Sequence, residues 1–152
     1  MVQKIFFSVM VIFLFSYSGF SQKMGLGIII GEPTGLNFIT HLDANKYLSI
    51  AVGWSPDALN SHFDLNIKYS LKEKGLYWYW GAGALFKSVK KTYPHKESKQ
   101  EFNMGLRIPF GLEYILQDIK LAFFAELVPG LNLIPASDFL FDGAIGIRYY
   151  FK

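Results

Sequence analysis

Ser61-His62-Phe63-Asp64 gathers a hydroxyl, an imidazole and a carboxylate within four residues of chain. A nucleophilic triad would need the imidazole held between the other two groups. In an extended segment neighbouring side chains point to opposite faces, so His62 and Asp64 share a face that Ser61 does not. That geometry is poor for acyl transfer. The other histidines, His41 and His95, lie far apart in sequence, and no cluster with metal-ligand spacing accompanies them. With Cys absent altogether, there is no thiol nucleophile, zinc knot, disulfide framework or lipid-modified N-terminal cysteine. The expectation is therefore a non-enzymatic protein without metal or cofactor, and a lipid-modifying acyltransferase or deacylase is the enzymatic alternative.

A second chemical feature is the run Lys87-Ser88-Val89-Lys90-Lys91-Thr92-Tyr93-Pro94-His95-Lys96-Glu97-Ser98-Lys99, where lysines face Glu97 alone. One reading of Lys87, Lys90, Lys91, Tyr93, His95, Lys96 and Lys99 is a surface that meets anionic lipopolysaccharide or another acidic polymer. The other is a loop kept soluble by its charge. The whole chain carries only +3 in 152 residues, too mild a balance to imply nucleic acid.

The elements that would position these residues begin after a secretory leader. Lys4 is followed by an apolar run from Ile5 to Phe15, and Gly19-Phe20-Ser21 offers small residues for cleavage. The run is too short for a spanning helix. Residues 1–21 are thus expected to be removed, leaving one domain over 22–152. From Lys23 onward apolar and polar residues alternate with period two. Phe63, Leu65, Ile67, Tyr69 and Leu71 take one face of a strand, while Asp64, Asn66, Lys68 and Ser70 take the other. The same pattern predicts about eight strands, near 23–31, 35–42, 46–54, 61–71, 75–87, 101–115, 119–129 and 139–151. Tight turns are expected at 43–45, 72–74 and 116–117, with longer loops at 55–60, 88–100 and 130–138. Pro109 interrupts the sixth segment and implies a bulge, a kink or two shorter strands.

Three features orient the apolar face toward lipid. That face is bulky throughout, whereas the opposite one collects Gly25, Gly27, Gly53, Gly81, Gly83, Gly105, Gly111 and Gly146, as a crowded narrow interior requires. Aromatic residues gather toward strand ends in two girdles, Tyr69, Trp78, Tyr114, Tyr149 and Phe151 against Trp54, Phe63, Phe86, Phe102 and Phe141. Charges on the polar face nearly balance, with Asp64, Glu113, Glu126 and Asp142 against Lys68, Lys87, Arg107, Lys120 and Arg148. A hairpin turning at Leu116-Gln117 would pair Glu113 with Lys120 and, in the same register, Arg107 with Glu126. Asp64, Lys68, Asp142 and Arg148 complete the expected interior ion pairs, and Tyr77, Tyr79 and Phe124 would help to plug the lumen.

These residues resemble the small outer-membrane β-barrel proteins, the group that includes OmpX and the membrane domain of OmpA. The resemblance extends over 22–152 and rests on architecture. Its most specific part is the final segment Ala144-Ile145-Gly146-Ile147-Arg148-Tyr149-Tyr150-Phe151, similar to the signal that hands such proteins to the barrel-assembly machinery; Ile147, Tyr149 and Phe151 would be read there. Lys152 departs from the pattern by leaving the aromatic penultimate. The opening Gly25-Leu26-Gly27-Ile28-Ile29-Ile30-Gly31-Glu32-Pro33-Thr34-Gly35 is also similar to small spirochaete-type barrels of unassigned function. The resemblance implies an all-β, antiparallel, up-and-down transmembrane barrel in the bacterial outer membrane, a monomer among lipids, serving membrane integrity or surface interaction. A narrow channel and a soluble lipocalin-like lipid-binding barrel are the remaining alternatives.

Overall fold

The computed structural model describes residues 23–92, 94 and 97–151. The expected leader 1–21, Tyr93, His95, Lys96 and Lys152 lie outside them. Among the described residues period-two alternation produces nine strands: β1 (Met24–Gly31), β2 (Gly35–His41), β3 (Lys46–Ser55), β4 (Ala58–Ser70), β5 (Leu76–Lys91), β6 (Lys99–Arg107), β7 (Phe110–Leu116), β8 (Leu121–Ile134) and β9 (Asp138–Phe151). All pair antiparallel in one sheet, each with its sequence neighbour or across the short gap at Pro109. β1 then pairs with β9 from Met24↔Phe151 to Gly31↔Ala144, which closes the sheet into a ring.

β6 and β7 together occupy one position in that ring, between β5 and β8. Proline has no N–H for the ladder, so the segment breaks at Ile108-Pro109. The register is nevertheless the same on both sides of the break: Gly83↔Arg107 and Trp80↔Phe110 belong to one alignment with β5. Backbone bonds bridge the gap, from Ile108 N to Pro129 O at 2.9 Å and from Gly81 N to Pro109 O at 3.0 Å. The irregularity in the ladder falls instead between Met104 and Gly105.

Two sequence expectations need correction. The β7–β8 hairpin does not turn at Leu116-Gln117. Leu116 pairs with Leu121, so the connection is 117–120, and Lys120 sits in it with φ of 56°. Glu113 consequently faces Phe124, four residues beyond the partner expected. A slip of four residues leaves every side chain on its original face, which is why alternation could not detect it. The long loops expected at 55–60 and 130–138 are also mostly strand. β3 and β4 meet across 56–57, and β8 and β9 meet across 135–137. The polar residues Asn60 and Ser61 simply continue the ladder, paired with Gly53 and Val52.

The core lies inside the ring. Ile29, Ile39, Tyr47, Tyr79, Ala122 and Phe124 are buried there beside charged residues. The large rings fit because glycine lies beneath them: a Cβ at Gly111 would overlap the Tyr79 ring, and one at Gly146 would overlap that of Phe124. Outward positions are apolar and exposed around the whole circumference, as Ile28 (61%), Leu112 (52%) and Leu127 (58%) illustrate.

The β7–β8 register is directly testable because the chain has no cysteine of its own. Leu112 and Ala125 are opposed, so Leu112→Cys with Ala125→Cys should form an intrachain disulfide under mild oxidation. Leu112→Cys with Leu121→Cys, the pair opposed in the rejected register, should not. Gel mobility with and without reductant distinguishes the two.

Candidate functional site

Inward-facing charges from five strands meet in two layers within the ring. In the layer nearer the chain termini, Glu113 of β7 is the centre. Its Oε2 lies 3.0 Å from Lys68 Nζ of β4, and its Oε1 lies 3.0 Å from Arg148 Nη1 of β9. Tyr150 OH donates to the same Oε1 at 2.6 Å. Arg148 also donates from Nε to Asn37 Oδ1 at 2.6 Å, and Asn37 Nδ2 donates onward to Ser49 Oγ at 3.0 Å. The Arg148 guanidinium lies 3.6 Å from the centre of the Phe124 ring. Lys68 Nζ lies within 5.6 Å of the ring centres of Tyr47, Tyr77 and Tyr150.

The second layer is built on Arg107 of β6. Its Nη2 donates to Glu126 Oε1 at 3.2 Å, and Tyr79 OH donates to Glu126 Oε2 at 2.9 Å. Arg107 Nε lies 3.1 Å from Asp64 Oδ1, an ion-pair contact whose angle is too poor for a hydrogen bond. Arg107 Nη1 is 2.8 Å from His62 Nδ1. A guanidinium only donates, so Nδ1 must accept and the imidazole proton resides on Nε2, which lies 3.3 Å from Asp64 Oδ2. His62 therefore has no lone pair free to serve as a base for Ser61, which faces away from it.

Arg107 and Glu126 are thus in contact, although their ladder partners are other residues: Gly130 for Arg107 and Gly111 for Glu126. Glu113 meets Lys68 and Arg148, and the expected Glu113–Lys120 pair is absent because Lys120 is exposed in the turn. Asp64 pairs with Arg107, and Lys68 with Glu113. Asp142 is half-buried at the loop-bearing end and forms no hydrogen bond or ion pair among the described residues. Reading the sequence for charges missed Asn37, Ser49 and Tyr150, and it gave Tyr79 a space-filling role without its bond to Glu126. Their shared inward parity with Arg148 and Glu126 was the available signal. His41 lies at the terminus-bearing end, its Nδ1 3.1 Å from Lys23 O.

Lining a charged layer this deeply is costly unless every partner is present. Glu113 and Arg148 are each only 1% exposed, so their desolvation is offset by one another and by Lys68, Tyr150 and Asn37. No group of three or more His, Asp or Glu side chains suited to a metal ion occurs among the described residues.

On the outer surface, the aromatic residues expected to form girdles point outward, with Trp54 (63%), Phe102 (64%) and Phe141 (65%) the most exposed. Tyr69 stacks on Trp78 at 4.8 Å. Ile147 and Tyr149 of the final strand are exposed, and Phe151 is half-buried. The lysine-rich segment begins and ends in strand: Lys87, Lys90 and Lys91 end β5, and Lys99 begins β6. Lys91 Nζ lies 2.6 Å from Glu101 and Lys87 Nζ 3.7 Å from Glu32, whereas the side chains of Lys90 and Lys99 are exposed.

Among solved structures, the chain is similar to the N-terminal β-barrel domain of Pseudomonas aeruginosa OprF, with a TM-score of 0.66 over 85% of this chain and 97% of that one. The likeness is one of fold. Identity is 14%, and neither a protein-family model nor a curated protein matches the sequence. The antiparallel ring is thus a fold shared with a known β-barrel domain.

The interior network predicts unequal mutational costs. Glu113→Gln removes the charge that answers both Lys68 and Arg148, and should destabilise the fold by roughly 3–5 kcal/mol in urea unfolding. Lys120→Gln, in the exposed turn, should leave the midpoint unchanged. Equal effects of the two would restore the Glu113–Lys120 pairing.

Proposed function

We propose that the protein is a non-enzymatic integral outer-membrane β-barrel of the OmpA and OmpX type. Residues 1–21 direct its export, and the mature chain spans the membrane as a monomer with a side-chain-filled interior. Its loop-bearing end is presented to the exterior for membrane integrity or surface interaction. One observation carries this reading: the ring is apolar outside and polar inside. Each half-exposed Leu, Ile, Phe or Trp on the outer face would gain on the order of 1 kcal/mol by leaving water. Together they exceed the roughly 5–15 kcal/mol of net stability of a folded domain. A lipid surround accounts for them; a lipocalin-like barrel does not, since its apolar lining faces inward.

The topology supports the same orientation. Lys23, Phe151 and the connections 42–45, 71–75 and 117–120 lie at one end of the ring, which is the periplasmic end in this reading. The taller hairpins β5–β6 and β8–β9 rise at the other. Exposed Lys90 and Lys99 on β5–β6 then face the anionic headgroups of lipopolysaccharide. The outward Ile147, Tyr149 and Phe151 of β9 serve as the signal read by the barrel-assembly machinery. The paired interior disfavours a conducting pore, because Tyr79, Phe124 and Arg148 fill the middle of the ring.

Cell fractionation with heat-modifiability tests the proposal. The mature protein is expected in the outer membrane, and its gel mobility should change on boiling because a closed barrel resists detergent unfolding. A soluble periplasmic protein with no mobility shift would overturn it.

A further inference from the structure

The seam that closes the ring is shorter than one of the two strands forming it. β1 ends at Gly31, opposite Ala144, and one further bond joins Glu32 N to Gly143 O at 3.4 Å. β9 extends beyond that point to Asp138, still paired with β8 as far as Asn132↔Asp138. Residues 138–142 are therefore laddered on one side only, above the tight turn 32–34 that carries β1 into β2.

Alternation decides which peptide groups face the open side. Consecutive residues of an antiparallel strand direct their N–H and C=O to opposite neighbours. Gly143 O is bonded from the β1 side, and Tyr150 N donates to Lys120 O on the β8 side. Odd-numbered residues of β9 thus face β1, and even-numbered ones face β8. Pro129, which has no N–H to exchange, stands opposite Phe141, as this assignment requires. The N–H and C=O of Phe139 and Phe141 are aimed away from β8, and among the described residues no strand or turn meets them there. Their side chains are 69% and 65% exposed.

An unpaired edge is a template for another strand, and proteins ordinarily blunt it with lysine, proline or a bulge. Asp138, Phe139, Leu140, Phe141 and Asp142 include none of these. A second open stretch, 99–103 of β6 beyond Met104↔Ile134, is protected by Lys99 and Glu101.

We propose that the edge of β9 at 138–142 accepts an added strand from a cationic polypeptide. The side chains specify the partner. Asp138, Leu140 and Asp142 share the inner face of the strand, and the two phenylalanines share the outer one. An antiparallel strand bonded to both phenylalanines meets a carboxylate at each end. Lysine or arginine four residues apart, with apolar residues outward between them, completes two opposite-charge cross-strand pairs. A second copy of this chain fits poorly. Pairing the segment with itself about Leu140 sets Asp138 against Asp142 twice, and like charges directly opposite are destabilising. Main-chain bonds supply the affinity in such strand addition, and alternate side chains supply the selectivity. The proposal deepens the surface-interaction reading and rests on it in placing this edge at the exterior.

Fluorescence anisotropy tests it, with a labelled peptide titrated by the full mature protein in non-ionic detergent micelles. The peptide has lysine at both ends, valine at the second and fourth positions, and threonine at the centre. Saturable binding is expected. N-methylation of both valines, whose N–H groups would face the edge, should weaken it about tenfold, as should glutamate in place of both lysines. Asp138→Lys reverses an exposed charge outside the interior network and should also weaken binding about tenfold. Phe139→Pro removes a donor from the open side, where an edge strand tolerates proline, and should act in the same direction. The peptide controls need no protein variant, so the test stays decisive if Phe139→Pro does not fold. Absence of saturable binding, equal binding of either control peptide, or indifference to both substitutions would each overturn the proposal. Concentration-dependent dimerisation abolished by Phe139→Pro would overturn it too, by giving the edge to a second copy. Boiling-dependent gel mobility of the same samples reports separately on the barrel. A protein that shifts on boiling but ignores the peptide defeats the edge site alone, and one that binds the peptide without shifting defeats the membrane reading alone.

Discussion

The pairing of β1 with β9 is the constraint on which the rest of the structure depends. Eight rungs from Met24↔Phe151 to Gly31↔Ala144 remove the free edges that an open sheet would leave. Once the sheet is closed, its inner face encloses a small fixed volume and its outer face is all that remains for the surroundings. Both consequences fall on side chains. The inner face must be filled without crowding, and the outer face must suit one solvent around the entire circumference.

Filling the interior is solved by contrast in size. Tyr79 and Phe124 lie over Gly111 and Gly146, and Asp64 lies where a side chain at Gly83 would otherwise stand. Glycine weakens a strand in isolation, yet here it makes room for the large or charged residue across the ladder. Burying Lys68, Arg107 and Arg148 in the same space demands partners for each. Glu113 and Glu126 supply them through opposite oxygens, one layer each, and tyrosine hydroxyls complete the acceptance. The two layers share β4 and otherwise use different strands, so the interior ties β2, β3, β4, β7 and β9 together near the termini and β4, β5, β6 and β8 nearer the loops.

Pro109 illustrates how far closure tolerates local disorder in the ladder. It removes a donor from the middle of a strand position flanked on both sides, where proline is ordinarily excluded. Ile108 N and Pro109 O nonetheless find Pro129 O and Gly81 N. The alignment with β5 resumes unchanged at Phe110. Closure holds both neighbouring strands in place, so an interruption of two residues does not propagate into a change of register.

Much of this was legible in the chain. Alternation along Phe63–Leu71 assigned Asp64, Asn66 and Lys68 to one face, and the structure buries all three inside the ring. The concentration of glycine on the same face indicated a narrow interior. The length of the upper hairpins was not legible, because Pro56, Asn60, Gly130 and Pro135 punctuate the chain there as turn residues do, although β4 and β8 run through Asn60 and Gly130.

By itself the sequence determined which side chains share a face, since a period of two is a property of the extended backbone alone. It also determined that the polar face is charged in near balance. Only the tertiary structure decided which charge meets which. Registers differing by two or four residues keep every face intact, so alternation could not distinguish Glu113–Lys120 from the pairing of Glu113 with Lys68 and Arg148. That choice is made across the lumen between strands remote in sequence, once the ring has closed and brought their inward side chains within hydrogen-bonding distance.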